Sequence, residues 1–510
     1  MVQKGKKALT GAAAVLLTLT AAAGCSNTDA PSGSKPSDSG AGNDFGKIVL
    51  VQKAIYNKSG VQKVADYIKK ESGVSIESVY ADDTPTKFNL MITSKEPVDA
   101  ILLDRNNYLK ALNKGLLMPL DEFLDKYGPT IKQKVNPNLW KWSKGSDGKI
   151  YGIPSESIAS PYTPMIRTDW LKAVNLPLPK TIGEFEQALQ AIKKASPSKK
   201  QNQELYPLFI GPTQTDEAFL GAFLPKGMSW WKNADNTYLP PEMAPEYKTY
   251  LETLQRWYKE KLIHPESFIV MSKGKLNDFV TQDLVAATAG WYSQPFVGEF
   301  DKLLALAPDA NYDAAPLSGS FDNGLMKIEV PNNMMAISAT SKNPESVVRI
   351  VEWIAKTREN MIVSRIGLPG MMYEYSNKDK YEIKTLAAPD PNAAFTPGTF
   401  EFLDFQPQPD TTEVNTNNPR TLLYYKTWKT LSPVKKYATL DTELALDEAG
   451  LASTVKYKAT LDTAKQEQFI RIVTGEKPVS DWDAFLAGWR KMGMDEIIKE
   501  KNELYRKAGK

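Results

Sequence analysis

Few side chains of this sequence are suited to covalent or metal chemistry. Cys25 is the only cysteine and His264 the only histidine among 510 residues. A Cys–His catalytic pair, a zinc site with histidine ligands and a histidine proton relay all need more than this. No P-loop, dinucleotide-binding or nucleophile-elbow glycine motif is present. The 60 aspartates and glutamates leave one enzymatic alternative open, a surface glycosidase or polysaccharide lyase working with paired carboxylates.

Flat aromatic side chains are abundant, with 11 Trp and 22 Tyr. A sugar ring has an apolar C–H face and a polar rim, so it suits aromatic platforms flanked by side chains that donate and accept hydrogen bonds. Many of these rings are needed in a core. Helical spacing assigns Trp353, Trp482 and Trp489 to buried helix faces, and Trp170 is expected to pack rather than to bind.

The first 25 residues direct the chain out of the cell. Residues 1–7 carry three lysines and no acid, residues 8–23 are apolar and small, and Cys25 follows Ala-Gly. This is the pattern of a secretory signal peptide, spanning residues 1–24. Cys25 resembles the lipidated cysteine in the lipobox of bacterial lipoproteins, although Ala22 stands where that motif usually has leucine. Ordinary secretion with a chance cysteine is the alternative.

The rest of the chain agrees with an extracellular address. Residues 25–44 are rich in Ser, Gly, Pro and Asp, too polar to form a core, and are expected to be a flexible tether. Without the three signal-peptide lysines, the formal charge of +3 falls to zero, so no general attraction to nucleic acid is expected. A lone cysteine used as an anchor leaves none for a disulfide.

From Phe45 onward, strands and helices alternate. Short apolar runs predict strands at 47–51, 74–80 and 98–103. This order favours an α/β fold with a mainly parallel sheet, whose ligands bind beyond the carboxyl ends of the strands, so the loops 52–59 and 104–107 should border a cleft.

Local signals also mark individual helix ends. Thr181 begins a capping box, and Asn343 precedes a proline at the start of another helix. Later short strands are expected at 284–290 and 334–338. His264 is expected to cap the end of a helix over 245–262.

Eight short motifs occur in an order that resembles one family, the extracellular solute-binding lipoproteins of bacterial ABC importers, in the large branch that binds oligosaccharides. The motifs span residues 115–121, 147–154, 167–171, 179–184, 286–291, 343–353, 367–370 and 472–482. They include Asp147-Gly-Lys-Ile-Tyr-Gly-Ile-Pro154 and Arg167-Thr-Asp-Trp-Leu171. The resemblance covers nearly all of the chain from Phe45 to Lys510.

The resemblance implies a two-lobe, periplasmic-binding-protein-like (Venus-flytrap) α/β fold with three hinge crossings. Lobe one would comprise residues 45–154 plus 334–370, and lobe two residues 155–333 plus 371–510. Ligand would sit between the lobes, which close on it; hinge closure of such proteins is a well-known type of domain motion.

The resemblance also suggests which residues contact ligand. It places a stacking aromatic at Trp291, with Tyr292 beside it. The segment after Pro154 should line the cleft, with Glu156 as a hydroxyl acceptor and Tyr162 as a platform. The loop pair Trp230-Trp231 is a further candidate, and because neighbours on an extended chain point in opposite directions, at most one of the two belongs to the core.

The expected function is therefore a membrane-anchored, extracellular substrate-binding protein that delivers an oligosaccharide to ABC permease subunits and their ATPase. No catalysis and no cofactor are expected, and the protein should be a monomer on the outer face of the cytoplasmic membrane of a Gram-positive bacterium. A peptide-binding or adhesin-like lipoprotein is a further alternative. The family's calcium loop would fall at Ser196 to Glu204, where one glutamate and two lysines do not suit calcium, so no metal is expected.

Overall fold

Strands and helices begin at Lys47 in the alternating order that the sequence predicts. The structure is a computed structural model, and it describes residues 44–53, 58–155, 162–200, 203–268, 273–291, 300–319, 326–327, 331, 333–386, 400, 414–431, 438–439, 448 and 450–509. Within it, Asn43–Lys510 form one compact unit.

The strands are short and spread along the whole chain. They are β1 (Lys47–Gln52), β2 (Ser75–Tyr80), β3 (Ala100–Asp104), β4 (Gly152–Pro154), β5 (Tyr162–Arg167), β6 (Trp231–Lys232), β7 (Tyr238–Leu239), β8 (Ala287–Trp291), β9 (Tyr312–Ala314), β10 (Met326–Lys327), β11 (Asn333–Ile337), β12 (Tyr373–Asn377), β13 (Glu382–Thr385), β14 (Val414–Asn415) and β15 (Ala438–Thr439).

The helices lie between these strands and dominate the C-terminal part. They are α1 (Lys58–Ser72), α2 (Thr84–Ser94), α3 (Arg105–Asn113), α4 (Asp121–Tyr127), α5 (Pro129–Lys134), α6 (Thr168–Ala173), α7 (Ile182–Ala195), α8 (Pro212–Phe223), α9 (Tyr247–Lys259), α10 (Lys273–Thr281), α11 (Phe300–Leu306), α12 (Pro344–Lys356), α13 (Arg358–Arg365), α14 (Pro419–Leu431), α15 (Ala452–Val473), α16 (Asp481–Trp489) and α17 (Asp495–Lys507). Short 3-10 turns occupy Pro137–Ser143, Pro241–Met243 and Pro265–Phe268.

The first sheet has the strand order β2-β1-β3-β11-β4. The strand β1 pairs in parallel with β2 and β3, as predicted, whereas β11 is antiparallel to both β3 and β4. The carboxyl end of β3 leads directly into α3, where the Asp104 carboxylate accepts a hydrogen bond from the backbone N–H of Asn107 at 3.0 Å. This cap fixes the first turn of α3 at the edge of the sheet where a ligand is expected.

Two large hydrophobic cores are built from different parts of the sequence. The first contains the apolar residues of β1, β3, β11 and α12, and the second contains those of α7, α8 and α9 together with the end of α15. A three-stranded antiparallel sheet in the order β8-β5-β9 lies beside the second core. The four tryptophans expected to pack are indeed buried, since Trp170, Trp353, Trp482 and Trp489 are each at most 9% exposed.

Helix ends follow local sequence signals in part. The Thr181 hydroxyl caps α7 by accepting from the N–H of Glu184 at 3.1 Å, as predicted. The role expected of His264 differs: its Nδ1 accepts from the N–H of Glu266, at the start of the 3-10 turn Pro265–Phe268. Its ring packs 4.3 Å from that of Phe279 between centroids, so this histidine joins an aromatic cluster instead of ending α9.

The C-terminal helices fold back on α15 through a sharp bend. Residues Arg490–Met494 form a π-type turn between α16 and α17, in which Gly493 has φ of 121°. A Cβ atom at Gly493 would clash with the ring of Tyr457 on α15. Glycine therefore allows both the backbone conformation and the close approach of the two helices.

A buried arginine ties β5 to the turn that precedes β8. The Arg167 guanidinium and the Asp283 carboxylate are each about 1% exposed and lie 2.5 Å apart. Arg167 also binds Asp169, and its guanidinium lies 4.4 Å over the Trp170 ring. Asp283 in turn accepts from the backbone N–H of Lys199 at 2.6 Å. Each buried charge thus has several partners, which is the condition under which burial is tolerated.

Replacing Asp283 with asparagine should destabilise the fold strongly. The amide keeps the size of the side chain and tolerates the positive φ of 61° at this position, but it leaves Arg167 buried with one carboxylate fewer. We expect a loss of about 3 kcal/mol in the free energy of unfolding, measured from urea transitions with an unchanged slope.

A matched control is Glu77→Gln, which also removes one carboxylate from an ion pair. That pair, Lys47–Glu77, is exposed on both sides, so the control should lose less than about 1 kcal/mol. Equal losses for the two variants would contradict the structural importance of the buried pair.

Candidate functional site

A cavity of about 620 Å³ opens where the start of α3 meets the C-terminal helices. This volume is typical of small-molecule sites. Among the residues that the structure describes, its wall combines apolar side chains with seven that can carry charge. The lining residues are Asn106, Asp216, Leu220, Met228, Trp230, Pro240, Pro241, Glu242, Glu448, Thr454, Val455, Lys458, Leu461, Asp462, Lys465, Trp489, Met494, Ile497 and Lys501.

The two sides of the cavity come from distant parts of the chain. Asn106 lies in the first turn of α3, at the carboxyl edge of the first sheet. The remaining lining residues come from α8, from α17 or from the chain between them. The predicted loop 104–107 therefore does contribute to the rim of a cavity.

One aromatic ring of the predicted pair Trp230-Trp231 faces this cavity. Trp230 lines it and is partly buried, with the Lys501 ammonium 4.0 Å from its ring centroid. Trp231 packs against the second core, and its indole N–H donates to the carbonyl of Pro240 at 3.2 Å. The two neighbouring rings thus have different surroundings: Trp230 lines the cavity and packs against the C-terminal helices, and its contact with a ligand stays a prediction.

The floor of the cavity is a group of three charges, of which the two carboxylates are buried. The Lys465 ammonium on α15 lies 3.0 Å from Glu242 and 3.4 Å from Asp216. Both carboxylates are at most a tenth exposed. Burial alone would lower the pKa of Lys465, but the charges of Glu242 and Asp216 outweigh burial and raise this pKa. The hydroxyl of Tyr250 donates to Asp216 at 2.8 Å and satisfies a further carboxylate oxygen.

Two further ion pairs lie on the wall. The Lys501 ammonium is 2.9 Å from Glu448, whose other oxygen accepts from the hydroxyl of Tyr505 at 2.5 Å. Lys458 pairs with Asp462 one turn along α15. Each of the three lysines that line the cavity in the described part of the chain is thus within ion-pairing distance of a carboxylate that also lines it.

Glu217 was not singled out by the sequence, yet it is unusual. Burial and the neighbouring charge of Asp216 raise the pKa of Glu217 to about 7. Its Oε2 atom is buried, and among the described residues it has no hydrogen-bond partner. A carboxyl in such a place binds a proton more readily than an exposed one. No motif or spacing in the sequence identifies Glu217 as a site residue.

The other predicted ligand-binding residues are placed only in part. Glu156 and Tyr292 lie outside the described residues, as does Cys25. The backbones of Tyr162 and Trp291 are directly paired in the antiparallel ladder of β5 and β8. These residues stay predictions as ligand contacts.

The segment 196–204 offers little to a calcium ion. Its glutamate, Glu204, already accepts from the Tyr206 hydroxyl and from the Lys261 ammonium, at 2.9 and 2.8 Å. Across the described parts of the chain, no cluster of three or more Asp, Glu, His or Cys side chains is arranged to hold a metal. The expectation that calcium does not bind here stays a prediction.

In the described part of the chain, no helix is both long and apolar enough to span a bilayer.

Comparisons with known proteins agree on one family. A sequence profile described as "Bacterial extracellular solute-binding protein" matches residues 55–361. Lipoprotein LipO of Bacillus subtilis is 23% identical over 472 residues, which cover 86% of this chain and 88% of LipO. The fructooligosaccharide ABC transporter substrate-binding protein FusA of Streptococcus pneumoniae is 25% identical over 315 residues, 56% of each chain.

A solved structure shares the fold at low sequence identity. It is an HMO-binding, ABC-transporter-associated solute-binding protein from Bifidobacterium longum infantis, with a TM-score of 0.65 and 14% identity. The match covers 90% of this chain and 98% of that one. This likeness over nearly the whole of both chains confirms the predicted two-lobe α/β fold.

Removing the ammonium from the cavity floor should be costly. In Lys465→Met, the carboxylates of Asp216 and Glu242 stay buried without a cation. We expect a loss of about 3–5 kcal/mol in the free energy of unfolding at neutral pH, measured by urea denaturation. Lys458→Met is the matched control: it removes an exposed, paired lysine from the same helix and should cost less than about 1 kcal/mol. A loss no larger than the control's would show that Lys465 does not compensate the two acids.

Glu217 should make stability depend on pH. Its pKa is about 7 in the folded protein against an ordinary value of 4.5, so between these values the folded state holds a proton that the unfolded state releases. Stability should therefore fall as pH rises from 4.5 to 7, relative to Glu217→Gln, by about 1–3 kcal/mol. Urea transitions of both proteins across this range measure the difference.

Glu186→Gln is the control for this pH dependence. Burial alone would raise the pKa of Glu186, but hydrogen bonding to Arg256 outweighs it and lowers this pKa. The stability that Glu186 adds is present above its unfolded pKa and is lost as pH falls, so its variant should not reproduce the Glu217 effect. A stability difference between wild type and Glu217→Gln that is flat across the range would contradict the assignment.

Proposed function

This chain is a bacterial extracellular solute-binding protein, and we propose that it captures an oligosaccharide between two lobes and delivers it to an ABC importer. The observation that carries the proposal is the cavity that joins Asn106 at the first sheet's edge to Trp230 and the C-terminal helices. An aromatic ring surrounded by paired ions offers both the apolar platform and the hydrogen-bonding groups that a sugar needs. The name of FusA, a fructooligosaccharide-binding relative, supports the same ligand class.

The lobes are proposed to follow the two hydrophobic cores. Lobe one would contain residues 45–154 and a second stretch that starts at residue 334, and lobe two would contain most of the remainder. The first core also includes Ile383 and Phe400. Their membership favours a boundary beyond the predicted Gly370.

Membrane attachment is proposed to occur through Cys25. Two acyl chains attached through one group on the Cys25 sulfur would hold the protein durably at the membrane, since one chain alone gives only reversible binding. Residues 26–44 would then serve as the tether, on the outer face of the cytoplasmic membrane of a Gram-positive bacterium. The relative LipO, a lipoprotein by name, supports this arrangement. The permease subunits and their ATPase would be the partners of a monomeric binding protein.

The proposal is tested by titrating the protein with short oligosaccharides while following tryptophan fluorescence and heat release. The same mixtures are assayed for new reducing ends and for double bonds. Saturable binding without turnover is expected. Turnover would favour the glycosidase or lyase alternative, and binding to peptides but not to sugars would favour the peptide-binding or adhesin-like alternative.

The two candidate platforms give a sharper test with any sugar that binds. Trp230→Ala and Trp291→Ala should each weaken binding by about 1–3 kcal/mol, because each would remove an aromatic contact with the ligand. The unfolding midpoint of each variant establishes that the fold is kept. Tyr67→Ala, at an exposed position of α1, should bind like the wild type. An unchanged affinity would discard that tryptophan as a platform.

A further inference from the structure

We propose that the cavity selects neutral oligosaccharides and rejects acidic ones such as uronate oligomers, because its lysines are already neutralised by its own carboxylates. This inference rests on the proposed function and goes beyond it in naming the charge class of the ligand. Membership of the solute-binding family does not fix that class.

The first argument is the balance of charge around the cavity. Four carboxylates and three ammonium groups line it among the described residues. The ammonium of Lys465 is shared by two buried acids, Lys501 pairs with Glu448, and Lys458 pairs with Asp462. An anionic sugar would therefore meet a wall with an excess of negative charge.

The second argument is the repulsion between acids that share one lysine. A uronate carboxylate that bonds to Lys465 or Lys501 comes close to the acids already paired with that lysine, and because these acids are at most 18% exposed, solvent screens the repulsion poorly. A neutral sugar avoids this repulsion. An ammonium has three N–H donors and a carboxylate has about four acceptor positions, so paired ions can still bond to sugar hydroxyls.

Glu448 is the carboxylate on which the selectivity depends most. It pairs with Lys501, which lies over the ring of Trp230 where a sugar would stack. Without Glu448, the Lys501 ammonium beside this ring would lose the lining carboxylate that neutralises it.

The experiment compares sugars that differ only in charge. Cello-, manno- and galacto-oligosaccharides are each paired with the uronate oligomer of the same backbone and length, and binding is measured by calorimetry at low and at high salt. We expect the neutral member of a binding pair to bind at least about tenfold more tightly, a ratio that corresponds to about 1.4 kcal/mol. Added salt should reduce the ratio by screening the repulsion.

The variant Glu448→Gln tests the residue itself. It should raise the affinity for the uronate member relative to the neutral member by about fivefold or more, because it removes the negative charge that neutralises Lys501 beside Trp230. Asp462→Asn is a second variant whose folding is not at risk, since its pair with Lys458 is exposed, and it should shift the ratio in the same direction but less. Asp483→Asn, which removes a carboxylate from an exposed lysine pair outside the cavity, should leave the ratio unchanged.

The outcomes separate this inference from the proposed function. A uronate that binds more tightly than its neutral partner, with an affinity that falls in salt, would overturn the charge selectivity and leave oligosaccharide capture intact. An affinity ratio that neither Glu448→Gln nor Asp462→Asn shifts would overturn the role given to the paired carboxylates. Failure of every sugar to bind would remove the proposed function and this inference together.

Discussion

The shared ammonium of Lys465 is the constraint on which the cavity depends. It joins α15 to Asp216 on α8 and to Glu242 in a 3-10 turn, positions that are 249 and 223 residues away along the chain. Bringing such distant segments together costs chain entropy, and burying two carboxylates costs solvation. One cation compensates both acids only if all three segments meet at one place. The same requirement sets the position of α15, and with it the wall that carries Lys458 and Leu461.

Aromatic packing also holds together the helices that form the cavity wall. Trp489 forms part of the cavity wall although it is only 2% exposed, and its indole N–H donates to the carbonyl of Leu461 at 3.0 Å. Trp482 stacks on Tyr247 with centroids 5.1 Å apart. These rings hold α16 against α15 and α9, so the wall behind Trp230 is built on packed helices. A binding surface supported in this way keeps its geometry better than one carried by loops alone.

Local signals in the sequence were sufficient where the cause of a structure is local. The cap at Thr181 involves residues three positions apart, and Trp482 and Trp489 recur at helical spacing, so both could be predicted. The partners of Lys465 and the Asp283 partner of Arg167 could not be, because these ion pairs join segments 116 to 249 residues apart and leave no periodic pattern. The antiparallel direction of β11 could not be predicted either, because an apolar run predicts a strand but not its direction. Trp230 and Trp231 lie outside any helix, so helical spacing could not indicate which of the two rings lines the cavity.

The pairing of ions within one wall has a consequence for how ligand is held. Since the charges of Lys465 and Lys501 are compensated by neighbouring carboxylates, no lysine in the described wall depends on ligand for its partner. The wall can therefore keep its arrangement when it is empty, and binding need not expend free energy on rearranging it. Asn106 of α3 also lines the cavity, and its neutral amide can both donate and accept hydrogen bonds. With the proposed oligosaccharide as ligand, sugar hydroxyls would bond to this amide and to the paired ions, and binding would need no change in ionisation.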